Sequence, residues 1–167
     1  MTNIRNWINL VENTDSEREF YINQANEFRA ERSKWWPVSK ELMDSYRDGS
    51  HTKITIGGLL EWWKNGLLQR DGDKPAWIGA DGSLEWYKNG EWHRDDDKPA
   101  VIRSNGTVAW FKNGLNHRLL GPAYIDENNK FEWWFRGKQI RVRSQDGFEK
   151  YLKKHYPFDN EIKQLYY

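Results

Sequence analysis

The sequence predicts an α+β fold: an antiparallel β-meander of ~24-residue repeats flanked by N- and C-terminal helices. Three observations predict it. First, a motif recurs: Leu60-Glu61-Trp62-Trp63-Lys64-Asn65-Gly66, then Leu84-Glu85-Trp86-Tyr87-Lys88-Asn89-Gly90, then Val108-Ala109-Trp110-Phe111-Lys112-Asn113-Gly114, and a degenerate Phe131-Glu132-Trp133-Trp134-Phe135-Arg136-Gly137. From Trp62 to Trp86, Trp110 and Trp133 the steps are 24, 24 and 23 residues. Second, three copies end in Asn-Gly, the strongest short hairpin signal, because a type I′ turn needs positive φ twice. Third, both ends of the chain carry apolar residues at helical spacing.

In chain order, residues 1–50 read as a helical region. Ile4, Trp7, Ile8 and Val11 form one stripe. Asp15 or Ser16 caps a second helix running to about Lys34, with Phe20, Tyr21, Ala25 and Phe28 inward. Pro37 breaks the chain after Trp35-Trp36, and Ser39 opens a short third helix that stops near Gly49.

Residues 51–143 read as the β-region. One unit is a short strand (Ala100 to Arg103), a turn, a longer strand (Thr107 to Lys112), a tight turn, and a third strand (Leu115 to Arg118). Alternation along the longer strand sorts two faces. Trp62, Trp86, Trp110 and Trp133 share a column with Leu60, Leu84, Val108 and Phe131, most simply the core. Trp63, Tyr87, Phe111 and Trp134 lie opposite, beside Glu61, Glu85 and Glu132. The links between copies are Asp-rich and end in Pro-Ala; the third, Leu120-Gly121-Pro122-Ala123, is one residue shorter and explains the 23-residue step. Residues 144–167 return to helix. Gln145 to His155 carries Phe148, Tyr151 and Leu152 inward, Pro157 ends it, and an aromatic tail closes at Tyr166-Tyr167. Helices at both ends cap the open edges of the meander.

Composition bounds the function. The formal net charge is +1, with 26 basic and 25 acidic residues well mixed along the chain. No segment carries the basic excess of a double-stranded nucleic-acid-binding surface. Cysteine is absent, no apolar run has membrane length, and the N-terminus has no apolar leader; this fits a cytoplasmic protein with no membrane partner. Aromatic residues make 16% of the chain, 11 of them Trp, while branched aliphatics are scarce, so the core is expected to be largely aromatic.

Chemistry-bearing motifs are sparse. His93 and His117 recur at a repeat position held by Gln69 and Ile140 elsewhere, which reads as structural. The runs Asp71-Gly72-Asp73 and Asp95-Asp96-Asp97 lack the terminal glutamate of a calcium loop and read as solvated turns pairing locally with Arg70 and Arg94. There is no nucleophile elbow, cysteine, phosphate-cradling loop or paired-histidine motif, so no enzyme, cofactor or metal is expected. The arginines four residues after each turn glycine, Arg70, Arg94, Arg118 and Arg141, are the best polar signal. They form either a ladder, stacked on rings and paired with link aspartates, or a row of forks offered to a partner. Trp35-Trp36, Trp77 and Trp92 lie off the main column.

At these residues the chain resembles the MORN-repeat superfamily, in its bacterial, phage and giant-virus variants with a Trp-Tyr-Lys-Asn-Gly…His-Arg…Asp…Pro-Ala consensus. Trp86-Tyr87-Lys88-Asn89-Gly90-Glu91-Trp92-His93-Arg94 with Pro99-Ala100 carries the resemblance best, and residues 57–141 are covered. The chain departs from the glycine-richer pattern with a Tyr-x-Gly core, so lipid binding is not carried over. The class implies an elongated meander used for protein contacts or as a scaffold. Its style resembles phage accessory products, which implies a host enzyme or complex, such as a defence component, as the inhibited partner. The expected function is therefore a non-catalytic protein-binding module. The contact residues are Trp63, Tyr87, Phe111, Trp134 and Trp92, with Arg70, Arg94 and Arg118. The alternative is a protein that binds or sequesters a nucleotide in an aromatic and arginine pocket at the helix–sheet junction or between two subunits of a homodimer. Single-stranded nucleic acid on the aromatic sheet is a third reading, weakened by the interspersed aspartates.

Overall fold

The computed structural model describes residues 18–26, 50–54 and 59–165, the 50–54 segment by its backbone. The first and third helices read from the sequence, the Trp35-Trp36 pair and Phe28 lie outside these residues.

Among the described residues the chain is an α+β protein dominated by antiparallel strands. They are β1 (Ser50–Ile54), β2 (Leu60–Lys64), β3 (Leu67–Leu68), β4 (Trp77–Ile78), β5 (Leu84–Glu85), β6 (Tyr87–Lys88) and β7 (Glu91–Trp92). There follow β8 (Val101–Ile102), β9 (Val108–Ala109), β10 (Phe111–Lys112), β11 (Leu115–Asn116), β12 (Tyr124–Ile125), β13 (Phe131–Phe135) and β14 (Lys138–Ile140). Ten of them form one sheet in the order β1-β2-β4-β5-β8-β9-β12-β13-β14, with β3 on β2. The spatial order follows chain order, as in a meander. The pairs β6–β7 and β10–β11 stand off it as hairpins.

This differs from the unit read off the sequence: the longer strand is split at Trp110, and its counterpart at Trp86. Trp110 serves two partners at once. Its N–H donates to Ala123 O at 2.8 Å in the main sheet, and its C=O accepts from His117 N–H at 3.2 Å in the hairpin. Trp86 does the same with Ala100 O (2.8 Å) and His93 N–H (3.1 Å). The chain leaves one ladder and enters another at that residue; Trp62 makes the equivalent bonds to Ala76 O and Gln69 N–H, but there β2 runs through unbroken, paired along its length with β1.

The hairpin turns follow the expected chemistry. Asn65, Asn89 and Asn113 sit at φ 51°, 54° and 51°, each followed by a glycine at φ 73–80°. The fourth turn places Arg136 at φ 48°, a conformation that costs a non-glycine residue energy and persists where tertiary contacts hold it.

Cross-strand register lines up a continuous aliphatic row: Leu60↔Ile78, Ile78↔Leu84, Leu84↔Ile102, Ile102↔Val108, Val108↔Ile125. All six are buried. Trp86 and Trp110 flank this row and are also buried, so the first column is the core face. The expectation of a largely aromatic core is thus corrected: branched aliphatics, few as they are, are concentrated where neighbouring strands face each other and rings would crowd.

Residues 18–26 form a helix, α1, laid on that face. Tyr21 and Ala25 are buried, and the Tyr21 ring meets Trp110 edge-on at 5.8 Å. Arg18 Nη1 donates to Gly106 O at 3.1 Å. Phe20, expected inward, is 60% exposed, because its neighbour Tyr21 takes the sheet-facing position.

The helix α2 (Gln145–His155) occupies the predicted span. Ser144 caps it by accepting from Gly147 N–H at 3.2 Å. Its Phe148 and Leu152 pack with Trp133, Phe135 and Ile140 in a second core cluster. A further helix, α3 (Asn160–Gln164), stands where the sequence reading had only an aromatic tail. Asp159 caps it, accepting from Glu161 N–H (3.0 Å) and Ile162 N–H (3.4 Å), and Ile162 is buried.

Candidate functional site

The sequence leaves two uses open for the arginines. Each of three stacks on the tryptophan of its own copy: Arg70 on Trp62 at 3.8 Å, Arg94 on Trp86 at 3.9 Å, Arg118 on Trp110 at 4.0 Å. Arg94 then forks onto Asp73, with Nε–Oδ1 2.7 Å and Nη2–Oδ2 3.1 Å. Arg118 forks onto Asp97, with Nε–Oδ1 3.1 Å and Nη2–Oδ2 2.8 Å. Their Nη1 atoms donate to the carbonyls of Pro99 and Pro122, and Arg70 Nη1 to that of Pro75. The partner aspartate lies 21 residues upstream in both cases, so the pairing bridges successive copies. This corrects the expectation of local pairing in the links. Arg94 and Arg118 are buried and committed within the fold, so they are not forks presented on a surface. Arg141 lies exposed, and the last copy instead sets Arg136 over Phe135 at 4.7 Å.

The link aspartates do double service. Asp73 and Asp97 both sit at φ 53°, where Asp is tolerated better than most residues. Their carbonyls accept the indole N–H of the next copy: Asp73 from Trp86 at 3.2 Å, Asp97 from Trp110 at 2.9 Å. Burial opposes ionisation of Asp73, but the Arg94 and Lys98 hydrogen bonds outweigh it and hold its carboxyl below the usual range.

The histidines join the hairpins. Gln69 Oε1 accepts from Asn89 N–H at 3.1 Å, His93 Nδ1 from Asn113 N–H at 3.1 Å, and His117 Nδ1 from Arg136 N–H at 3.2 Å. Gln and imidazole supply the same acceptor to the next turn, which is why they interchange. Ile140, with no acceptor, ends the series under α2. Among the described residues no group of three His, Asp or Glu is disposed to hold a metal ion.

The second face is where the remaining site residues gather. Register sets Glu61 against Trp77, Trp77 against Glu85, Ala109 against Tyr124, and Tyr124 against Glu132. The neighbouring row carries Trp63, Tyr87 with its cross-strand partner Trp92, Phe111 and Trp134. All five of these rings are half-buried. Tyr87 and Trp92 lie 6.3 Å apart, Trp92 and Phe111 4.8 Å. The ring edges are pinned by carboxylates two residues back: Trp63 Nε1 donates to Glu61 at 3.2 Å and Trp134 Nε1 to Glu132 at 3.1 Å.

Glu85 is the hub of this face. It is buried and accepts from the Tyr87 hydroxyl, from Trp92 Nε1 at 2.7 Å and from Arg103 Nη1 at 2.6 Å. Burial, then the Glu85 carboxylate, push the Tyr87 phenol well above its ordinary range. Sequence reasoning missed this role, although a signal was available. In the third copy the carboxylate is lost at Ala109, and with it the hydroxyl (Phe111) and the indole (Asn116) that would have needed it.

A cleft of about 270 Å³ opens between the first two copies. Arg70, Lys88 and Arg94 line it, against Asp71, Asp73, Asp95 and Asp96. The buried Trp86 in its wall already spends its N–H on Asp73. Four carboxylates against three cations do not favour a polyphosphate. No described helix is long and apolar enough to cross a membrane. Comparison with protein-family models, with curated proteins and with solved structures gave no match.

Proposed function

We propose that the chain is a non-catalytic protein-binding module built from MORN-like repeats, and that its contact surface is the aromatic row Trp63, Tyr87, Trp92, Phe111 and Trp134. The observation that carries this reading is that these five rings are half-buried, with Tyr87, Trp92 and Phe111 in ring contact and Trp63, Tyr87, Trp92 and Trp134 tied to carboxylates of the second face. Aromatic rings offer large contact area at low entropic cost on association. Sequence equivalence between the copies and the recurrence of the same Trp–Asp and Arg–Asp contacts 24 residues apart support treating the region as a repeat array. The arginines serve the array, so specificity comes from the rings and from the polar groups around them.

The test is affinity capture from bacterial lysate with the wild-type chain and with Trp63→Ala/Phe111→Ala/Trp134→Ala. The expected result is one stoichiometric protein on the wild type and its loss from a variant that still unfolds cooperatively. Retention of that protein by the folded variant would remove this face from the interface.

A further inference from the structure

In the first two copies the lysine before the turn pairs with an aspartate of the same copy. Lys64 Nζ meets Asp71 at 2.8 Å, and Lys88 Nζ meets Asp95 at 3.2 Å. Asp95 also meets His93 Nε2 at 2.9 Å. The third copy has no such aspartate, because Leu119 stands where Asp71 and Asp95 stand, directly after the arginine. Its Lys112 reaches instead to Glu161 of α3, 49 residues away. His117 Nε2 lies 3.9 Å from the same carboxylate. Arg136 completes the group: Nη2 donates to Glu161 at 2.7 Å, and Nη1 and Nη2 donate to Asp159 at 2.6 and 3.2 Å. A distant Asp-x-Glu segment thus supplies the acid that the repeat has lost.

We propose that Lys112, His117 and Arg136 form a recognition site for an acidic Asp-x-Glu peptide segment, occupied in cis by α3 and open to exchange with an acidic segment of a partner protein. Three observations argue for exchange. The helix is five residues long, with Ile162 as its buried anchor, and a helix of that length has little stability of its own. Lys112 and Arg136 are each about half exposed, at 51% and 49%, so their ion pairs are individually weak and replaceable. The charges match an acidic occupant in kind and spacing, since two carboxylates two residues apart engage all three basic side chains. The site adjoins the aromatic row at Phe111, but it stands on the α3 contacts alone and not on the reading of that row.

The probe is a fluorescein-labelled peptide of residues 156–165, followed by anisotropy against two full-length chains, the wild type and Asp159→Asn/Glu161→Gln. The variant, whose own segment lacks the acids, is expected to bind about ten-fold tighter than the wild type, where the tethered segment competes. A peptide with both acids replaced by amides is expected to bind the variant about ten-fold more weakly than the acidic one. Equal affinity of the two chains, or of the two peptides, overturns the proposal. If the variant does not fold, hydrogen exchange on the wild type decides. The amides of Lys163 and Leu165, bonded at 2.9 and 3.2 Å to Asp159 O and Ile162 O, exchange faster with excess acidic peptide and not with the amide peptide. Unchanged exchange with the acidic peptide overturns the proposal as well.

Discussion

The second and third copies and the fourth are closed by different physics on the same backbone path. Between the earlier copies each junction is a charged rung, in which a link aspartate holds the next tryptophan by its carbonyl and the next arginine by its carboxylate. At the fourth copy the link offers Leu120 and Gly121 in place of Asp and Lys, Ile140 replaces the histidine, and no such rung forms. A Cβ at Gly121 would stand 2.7 Å from the Arg118 guanidinium, so the link stays bare there. Closure comes instead from Phe148, Leu152 and Ile162, packed on Trp133, Phe135 and Ile140. Degeneracy in a repeat therefore marks where local chemistry has been replaced by a tertiary partner, here α2 and α3.

That contrast is open to direct attack. The largest effect is expected from Asp97→Asn. The Arg118 side chain is 1% exposed, and leaving it without its carboxylate is expected to cost about 3–5 kcal/mol in urea unfolding. Asp73→Asn is expected to cost less, since Asp73 is 43% exposed and water can replace part of the loss. Near-zero effects at both positions would break the rung account. At the other end, Leu152→Ala is expected to cost about 2–5 kcal/mol by emptying the α2 anchor, with no change at the charged rungs.

Acid separates the two regions more finely. Burial lowers the His117 pKa below its ordinary 6.5, with Glu161 pulling the other way and Lys112 and Arg136 adding to the depression. A folded-state pKa below the unfolded one means that the contribution is present above pH 6.5 and lost as pH falls through the folded value. Asp73, Asp159 and Glu161 are likewise held low. Burial opposes each, but hydrogen bonds from Arg94 and Lys98, from Arg136, and from Lys112 and Arg136 prevail. Their contributions are lost only below the usual carboxylate range. Stability is therefore expected to begin falling just below pH 6.5 in the wild type, and His117→Gln is expected to remove that early loss but keep the later one. Coincident profiles would contradict this assignment. The smallest effect is expected at His93: His93→Gln changes unfolding by no more than about 0.5 kcal/mol, because Gln69 already performs this task, whereas His93→Leu costs about 1–3 kcal/mol by orphaning the Asn113 N–H.

Much of this architecture was legible in the residues. The Asn-Gly turns, the two-sided alternation and the span of α2 all follow from local chemistry, as does the burial of the Trp86 and Trp110 column. What was not legible depends on groups far apart in sequence. The change of ladder at Trp110 joins Ala123 and His117, 13 and 7 residues further along the chain. The Arg118–Asp97 fork spans two copies, and α3 docks through contacts distant in sequence, Ile162 in the second core cluster and Glu161 with Lys112 and Arg136. Of the candidate face, the rings were named from the sequence, while the Glu85 hub that fixes two of them was not. Arg94 and Arg118, named beside them, belong to the scaffold.

The central claim is that one tryptophan column holds the fold while the rings behind it meet a partner. Hydroxyl-radical footprinting of the chain, alone and with a captured partner, tests it most directly. The account predicts that Trp92 and Trp134 oxidise in the free chain and are protected in the complex, while Trp86 and Trp110 stay unreactive in both. Reactive Trp86 or Trp110 in the free chain, or Trp92 and Trp134 equally reactive with and without partner, would contradict it.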